Sequence, residues 1–306
     1  MQATTTAPAP APALRPLGVG DVVDRVFRLY RDRPLGLFLL GAIPFVVFLV
    51  GYFALTVWLV AIVLPVAGTF QRTADPLAIL NNRNFIEFIG AAFVYIIALS
   101  IFGLAIGSII AGGVVDAAAA AHLGQTRGMG ASLGVGLRAA PRIFLTGLLA
   151  FLAVFVVQIF FSIVGAFIEN ALLGFLLFLI YVFAVFYLEA SWFIAPAIAT
   201  IERHGPISSL RRSWQLSAGF RWRIVGLGIL LFVLFIVLSI FLIFVLTIIA
   251  ASNQAAGGVA AFIVFFAMVP IWLPLFFGTM TVLYYDLRVR KEGFDLQLAA
   301  EGMPRA

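Results

Sequence analysis

The sequence predicts an all-α polytopic transmembrane helical bundle, and three observations carry that prediction. Hydrophobic residues make up 64% of the 306 and charged residues only 10%, with a mean hydropathy of +1.16. A soluble domain has about 45–50% apolar and about 25% charged residues, and a core in water cannot hide such an excess because polar groups must still cover it. The apolar residues are gathered into six runs, each long enough for the ~20 helical residues that cross hydrocarbon. The connections between runs are basic and non-basic in alternation.

Along the chain, residues 1–16 are an Ala/Pro/Thr tract. They have no basic start and no apolar stretch, so they read as an extended, disordered tail and not as a signal peptide. The transmembrane domain is expected over 17–290, with spans at about 35–66, 85–121, 143–168, 171–201, 224–251 and 257–287, followed by a tail over 291–306. Several runs exceed the minimum, which implies tilt or protrusion.

Before the first span come Arg25, Arg28, Arg31 and Arg33. Arg127, Arg138 and Arg142 lie between the second and third, and Arg203, Arg211, Arg212, Arg221 and Arg223 between the fourth and fifth. Arg288, Arg290 and Lys291 follow the sixth. The turns Glu169-Asn170 and Ser252-Asn253-Gln254 carry no basic residue, and the connection after the first span carries only Arg72 and Arg83. The positive-inside rule then puts both termini in the cytoplasm of a bacterial-type plasma membrane.

The basic segments have structure of their own. Val19, Val22, Val23, Val26, Phe27 and Tyr30 share one helical face, with Asp21, Asp24, Arg25, Arg28 and Arg31 opposite. That pattern is a short amphipathic helix, supported by the acid-first pairs Asp21–Arg25 and Asp24–Arg28. A second such helix is expected around Ser208–Leu216, with Leu210 and Trp214 stacked, and a weaker third over 131–140. Each is followed by a basic break (Arg31-Asp32-Arg33-Pro34, Pro141-Arg142, Phe220-Arg221-Trp222-Arg223) and a pair of spans. The chain therefore reads as three parallel hairpin units, whose second spans end near Gly124, Gly205 and Gly293 because glycine accepts the left-handed cap.

Composition excludes much chemistry. There is no cysteine and there are two histidines, His122 and His204, so no thiolate or metal cluster is expected, and no cofactor. No phosphate loop, zinc motif or nucleophile elbow is present. The net charge of +6 is confined to short segments at membrane ends. It predicts contact with anionic head groups, through Arg25, Arg28, Arg31, Arg211, Arg212 and Arg223, and not with nucleic acid. Glu189 is a carboxylate placed well inside the fourth span; it reads either as a proton or cation site or as a strut between helices. Asp116 and Asp286, near span ends, read first as salt bridges to the basic segments. Pro270 and Pro274 should kink the last span. Gly103, Gly107 and Ala111 form a small-residue packing face.

Four stretches carry a family resemblance: Leu17-Gly18-Val19-Gly20-Asp21-Val22-Val23-Asp24-Arg25-Val26-Phe27-Arg28-Leu29-Tyr30-Arg31; Leu210-Arg211-Arg212-Ser213-Trp214; Trp222-Arg223; and Tyr284-Tyr285-Asp286-Leu287-Arg288-Val289-Arg290-Lys291-Glu292-Gly293-Phe294-Asp295. They resemble the bacterial glycerophosphoryl diester phosphodiesterase membrane domain family. The resemblance implies a membrane domain of the kind that some members fuse to a soluble phosphodiesterase barrel. This chain has no such barrel, so no catalytic residue carries over.

The first expectation for function is a non-enzymatic membrane scaffold or accessory subunit, with membrane lipids and either a protein partner or a second copy as its partners. The alternatives are a transporter or channel using Glu189, and a membrane-embedded lipid-acting enzyme.

Overall fold

Basic connections and apolar runs alternate in the structure as in the sequence. The structure, a computed structural model, describes residues 16–72 and 83–301. The Ala/Pro tail, most of the connection after the first span and the extreme C-terminus lie outside the described residues. Among these there are ten helices and no strand: α1 (Val19–Asp32), α2 (Pro34–Arg72), α3 (Arg83–His122), α4 (Met129–Ala166), α5 (Ala171–Trp192), α6 (Ala195–Ile201), α7 (Pro206–Ser217), α8 (Arg221–Ser252), α9 (Gln254–Glu292) and α10 (Phe294–Glu301). Six stretches are long and apolar enough to cross a membrane: Pro34–Leu64, Phe85–His122, Met129–Ala166, Ala171–Ile201, Arg221–Ser252 and Gln254–Glu292. The chain is an all-α, multi-pass bundle.

Two central helices organise it. α3 packs against α2, α4, α6 and α9, and α9 packs against α1, α2, α3 and α8. Burial is concentrated where these helices approach the basic connections. Ile110, Val114, Val115, Ile194, Ile198, Leu283, Tyr284 and Leu287 are all buried there. Towards the opposite end, Phe53, Val57, Phe93, Phe155, Phe160, Phe178, Phe241 and Phe262 are exposed, as side chains that face lipid should be.

Lipid tails are as apolar as leucine, so spans associate through close packing of small residues and polar contacts. A close backbone crossing lies between α3 and α4. A Cβ on Gly136 would stand 2.5 Å from the Ile109 carbonyl oxygen and 2.8 Å from the Gly113 nitrogen, and one on Gly112 would stand 2.9 Å from the Gly136 Cα. Of the predicted packing face, the two glycines lie off this crossing and Ala111 lies on it. A Cβ on Gly107 meets nothing within 4 Å and one on Gly103 reaches only Phe48 at 3.5 Å, while Ala111 is buried beside Ala139 and Ile143.

The prolines end neither of the helices that contain them. α4 runs unbroken through Pro141, so the expected break there is absent and the second unit has no separate surface helix. α9 is likewise continuous through Pro270 and Pro274. Pro274 has no N–H to offer the Pro270 carbonyl four residues earlier, and that carbonyl faces α2 at Gly41, where a Cβ would lie 2.9 Å from it.

The amphipathic segments are packed rather than laid on the surface. α1 buries Val22 and Val26 against α9 and leaves Phe27 exposed. Arg28 pairs with Asp24 at 2.8 Å, whereas Asp21 accepts from the Gly18 N–H at the helix start. α7 buries Ser209, Ser213, Leu216 and Ser217, not the predicted Leu210/Trp214 face. Ser213 and Ser217 donate to the Ser191 carbonyl at 2.8 and 3.2 Å, near the break between α5 and α6.

Candidate functional site: the charged end of the bundle

The basic segments fold together with the few acids into three linked nodes. The first is Asp286, on the last turns of α9, whose carboxylate is fully buried. It accepts from the Leu17 N–H at 2.7 Å, from Arg223 Nη1 of α8 at 2.6 Å and from Arg290 Nε at 3.1 Å. Both guanidinium groups also donate to the Leu17 carbonyl. One acid therefore joins the strand-like entry to α1, the start of α8 and the end of α9. Every carboxylate oxygen is hydrogen-bonded, as a buried charge requires.

The second node is a closed ring. Glu202, just past α6, accepts from Tyr284 Oη at 2.8 Å and from Arg212 Nε at 3.2 Å, and His204 Nδ1 lies 3.4 Å away. Arg212 pairs onward with Glu292 at 2.6 Å, Glu292 with Arg288 at 3.0 Å, and Arg288 returns to Tyr284 Oη at 3.3 Å. Burial alone would pull the Arg212 guanidinium down, but its hydrogen bonds to Glu202 and Glu292 outweigh that and raise it. The ring ties α6, α7 and α9, and Arg288 stacks over Phe294 of α10 at 4.1 Å.

The third node is Asp116 on α3. It is paired with Arg127 and accepts from Ser132 Oγ at 2.9 Å, fastening α3 to the connection before α4. Beside it opens a cavity of about 520 Å³, lined by Asp116, Gln125, Arg127, Arg138, Arg142, Thr200 and Arg203 with apolar walls of Leu123, Val135 and Ile201. Arg142 donates to the Arg203 carbonyl at 3.1 Å. Arg203 has φ +56°, the one left-handed non-glycine among the described residues.

Glu189 stands apart from these nodes. α5 ends at Trp192, and Pro196 cannot donate back across the break before α6. Glu189 is thus three residues from the end of α5, within the apolar stretch that continues to Ile201. It is exposed on the bundle's outer surface, in a groove of about 370 Å³ with Phe186, Phe193, Val225, Gly228 and Phe232. It makes no ion pair or hydrogen bond to any described residue. Two residues earlier, Tyr187 accepts from Arg221, whose guanidinium lies 4.5 Å over the Tyr187 ring and 4.4 Å over Trp214. The strut reading requires a hydrogen-bonded neighbour on another helix, and no described residue supplies one.

The expected head-group arginines divide. Arg31 and Arg211 are exposed, Arg28 is paired on the surface of α1, and Arg25 lines a smaller cavity with Asp32 and His122. Arg212 and Arg223 belong to internal nodes instead, paired with the half-buried Glu202 and Glu292 and with the buried Asp286. Sequence reasoning did not single out Glu202, Tyr284 or Arg203, nor the stacking of His122 on Tyr285 at 4.9 Å. Among the described residues no three His, Cys, Asp or Glu side chains gather as metal ligands.

No protein-family model matches the chain, and no curated protein or solved structure shows significant similarity to it.

Proposed function

We propose that the chain is a non-enzymatic scaffold or accessory subunit of a bacterial plasma membrane, with the basic end and both termini on the cytoplasmic side. The observation that carries this reading is that four acids of the basic end serve arginine ties between helices and their connections. Asp286, Glu202, Glu292 and Asp116 are all so engaged. A general acid or base must be free to exchange a proton with a reacting group, and a rigid, ion-paired floor serves better to hold a fixed surface for a partner. Affinity capture from native membranes tests it. A stoichiometric protein partner is the expected result, and recovery of the chain with lipid alone counts against a scaffold.

Orientation has its own test. The chain has no cysteine, so Arg211→Cys and Asn253→Cys each place one thiol, at the basic end and at the α8–α9 turn. A membrane-impermeant maleimide on intact cells should label the second and spare the first; the reverse pattern would invert the topology.

The family resemblance belongs to the same proposal, and one feature supports it. Its quoted motifs are far apart in sequence, yet Leu17, Arg223, Asp286 and Arg290 meet at one node, and Arg212, Tyr284, Arg288 and Glu292 at the next. Residues that recur together in such motifs are then those that close the charged floor.

Transport is a second reading, favoured by the unpaired carboxylate of Glu189. A carrier site faces a water-filled path or the bundle interior, and Glu189 faces outward. In vesicles holding the purified chain, a proton or cation flux abolished by Glu189→Gln would establish transport over the scaffold.

A further inference from the structure

The cavity beside Asp116 has more positive charge than its own residues neutralise. Four guanidinium groups (Arg127, Arg138, Arg142 and Arg203) and one carboxylate line it. Arg127 and Ser132 engage that carboxylate. Arg142 commits one N–H to the Arg203 carbonyl. The side chains of Arg138 and Arg203 make no ion pair or hydrogen bond to any described residue. Like charges facing one cavity repel, and each guanidinium keeps unused donors in a fixed fork that matches phosphate oxygens.

A second observation is independent of charge. Three helices of the bundle end on this face, at His122, Ile201 and Glu292. After the first and third the left-handed residue is Gly124 or Gly293, with φ +72° and +60°. After α6 it is Arg203, at φ +56°, while the nearby Gly205 has an ordinary φ of −68°. A left-handed arginine is strained where glycine would not be. Such strain is kept where a side chain is needed in one place; here that place is the cavity, and Arg142 holds the strained carbonyl.

Position adds a third. Arg142 immediately precedes Ile143, where the apolar run of α4 begins, so the cavity lies at the level of lipid head groups. Its volume of about 520 Å³ is in the range of small-ligand sites.

We infer that this cavity binds a phosphate-bearing anion, held by Arg138, Arg142 and Arg203, with Arg127 kept at the rim by Asp116. The phosphate can come from a lipid head group or from a small soluble phosphate compound, and the experiment separates the two. The full chain, purified in neutral detergent, is titrated with phosphatidic acid, with phosphatidylcholine and with inorganic phosphate, and bound ligand is read by native mass spectrometry. Arg138→Gln/Arg203→Gln should weaken phosphatidic acid binding about thirtyfold, from roughly a fivefold loss for each of the two charges removed. Arg31→Gln/Arg211→Gln removes the same charge from exposed arginines outside the cavity and should change binding less than about twofold.

Phosphatidic acid retained against excess inorganic phosphate identifies a lipid site, and displacement by inorganic phosphate identifies a soluble ligand. Both outcomes support the cavity. Failure of both phosphate probes to bind the wild-type chain, equal losses in the two double variants, or equal binding of phosphatidylcholine would overturn it. Should Arg203→Gln fail to fold, Arg203→Gly suits the same backbone and carries the same expectation. The assay in detergent does not depend on orientation or on the scaffold reading.

Discussion

Asp286→Asn isolates the charge at the node that joins three segments. Asparagine has nearly the same shape, and its Oδ1 can still accept from the Leu17 N–H, so packing and one hydrogen bond survive. What goes is the negative charge between Arg223 and Arg290, whose side chains are only 19% and 26% exposed. Removing one partner of a buried pair costs about 3–5 kcal/mol. Partial water access to both arginines and their retained bonds to the Leu17 carbonyl put the loss at the low end, about 3 kcal/mol. At ~2 °C per kcal/mol for a chain of this size, the unfolding midpoint in detergent should fall by about 6 °C. Intrinsic fluorescence reports it, since the chain has five tryptophans. Limited trypsin digestion at Arg25, Arg28 and Arg31 should also begin earlier, because α1 loses its tie to α9. Adding Arg223→Gln should recover part of the loss, with a coupling of about 1–3 kcal/mol. A midpoint within about 1 °C of wild type, together with unchanged protection of α1, would refute the node as the fastening of the N-terminal segment.

Gly136→Ala drives a Cβ into the Ile109 carbonyl and the Gly113 nitrogen and should cost about 1–3 kcal/mol, whereas Gly107→Ala enters open space and should gain up to about 1 kcal/mol from helix propensity; thermal midpoints moving in the same direction would refute the crossing. Tyr284→Phe removes the hydroxyl between Glu202 and Arg288 and should cost about 1–2 kcal/mol. Tyr30→Phe removes a buried hydroxyl with no hydrogen-bond partner, one whose pKa burial pushes up, and should be neutral or stabilising in the same melt. Arg203→Gly should raise the midpoint by about 2 °C, from roughly 1 kcal/mol of relieved backbone strain, while it weakens phosphate binding. A fall in stability would show that Arg203 serves the fold.

The bundle was legible because lipid demands an unbroken apolar run, a signal summed over some twenty residues. The destinations of individual charges were not. Arg211 and Arg212 are neighbours with the same chemistry, yet one is exposed and the other bridges Glu202 and Glu292; only the docking of α7 on α6 and α9 separates them. The predicted glycine face failed for a related reason. A spacing of four marks which residues share a face, but the partner's own glycine, Gly136, decides where the backbones touch. The break beside Glu189 was not legible either: 171–201 reads as one apolar run, and the turn after Trp192 leaves no mark in hydropathy. Asp116 and Asp286 were anticipated as salt bridges because an acid at a span end, beside a basic segment, has few cheaper options.

The uneven packing of the bundle follows from the same physics. Within hydrocarbon, helices gain little by burying leucine against leucine, since lipid offers the same contact. At the basic end, water is near enough to lower the cost of charge burial, yet the arginines are enclosed enough for their hydrogen bonds to outlast competition from solvent. Stability should therefore collect there, and the buried residues of α3, α6 and α9 do collect there. The opposite halves of the spans, with phenylalanine and valine turned outward, are free to adapt to lipid or to another helix. Any ligand that must be held in fixed geometry is best held at the rigid end, because only there do three helix ends share a floor. The arginine cavity is built into that floor, with Asp116 belonging to both.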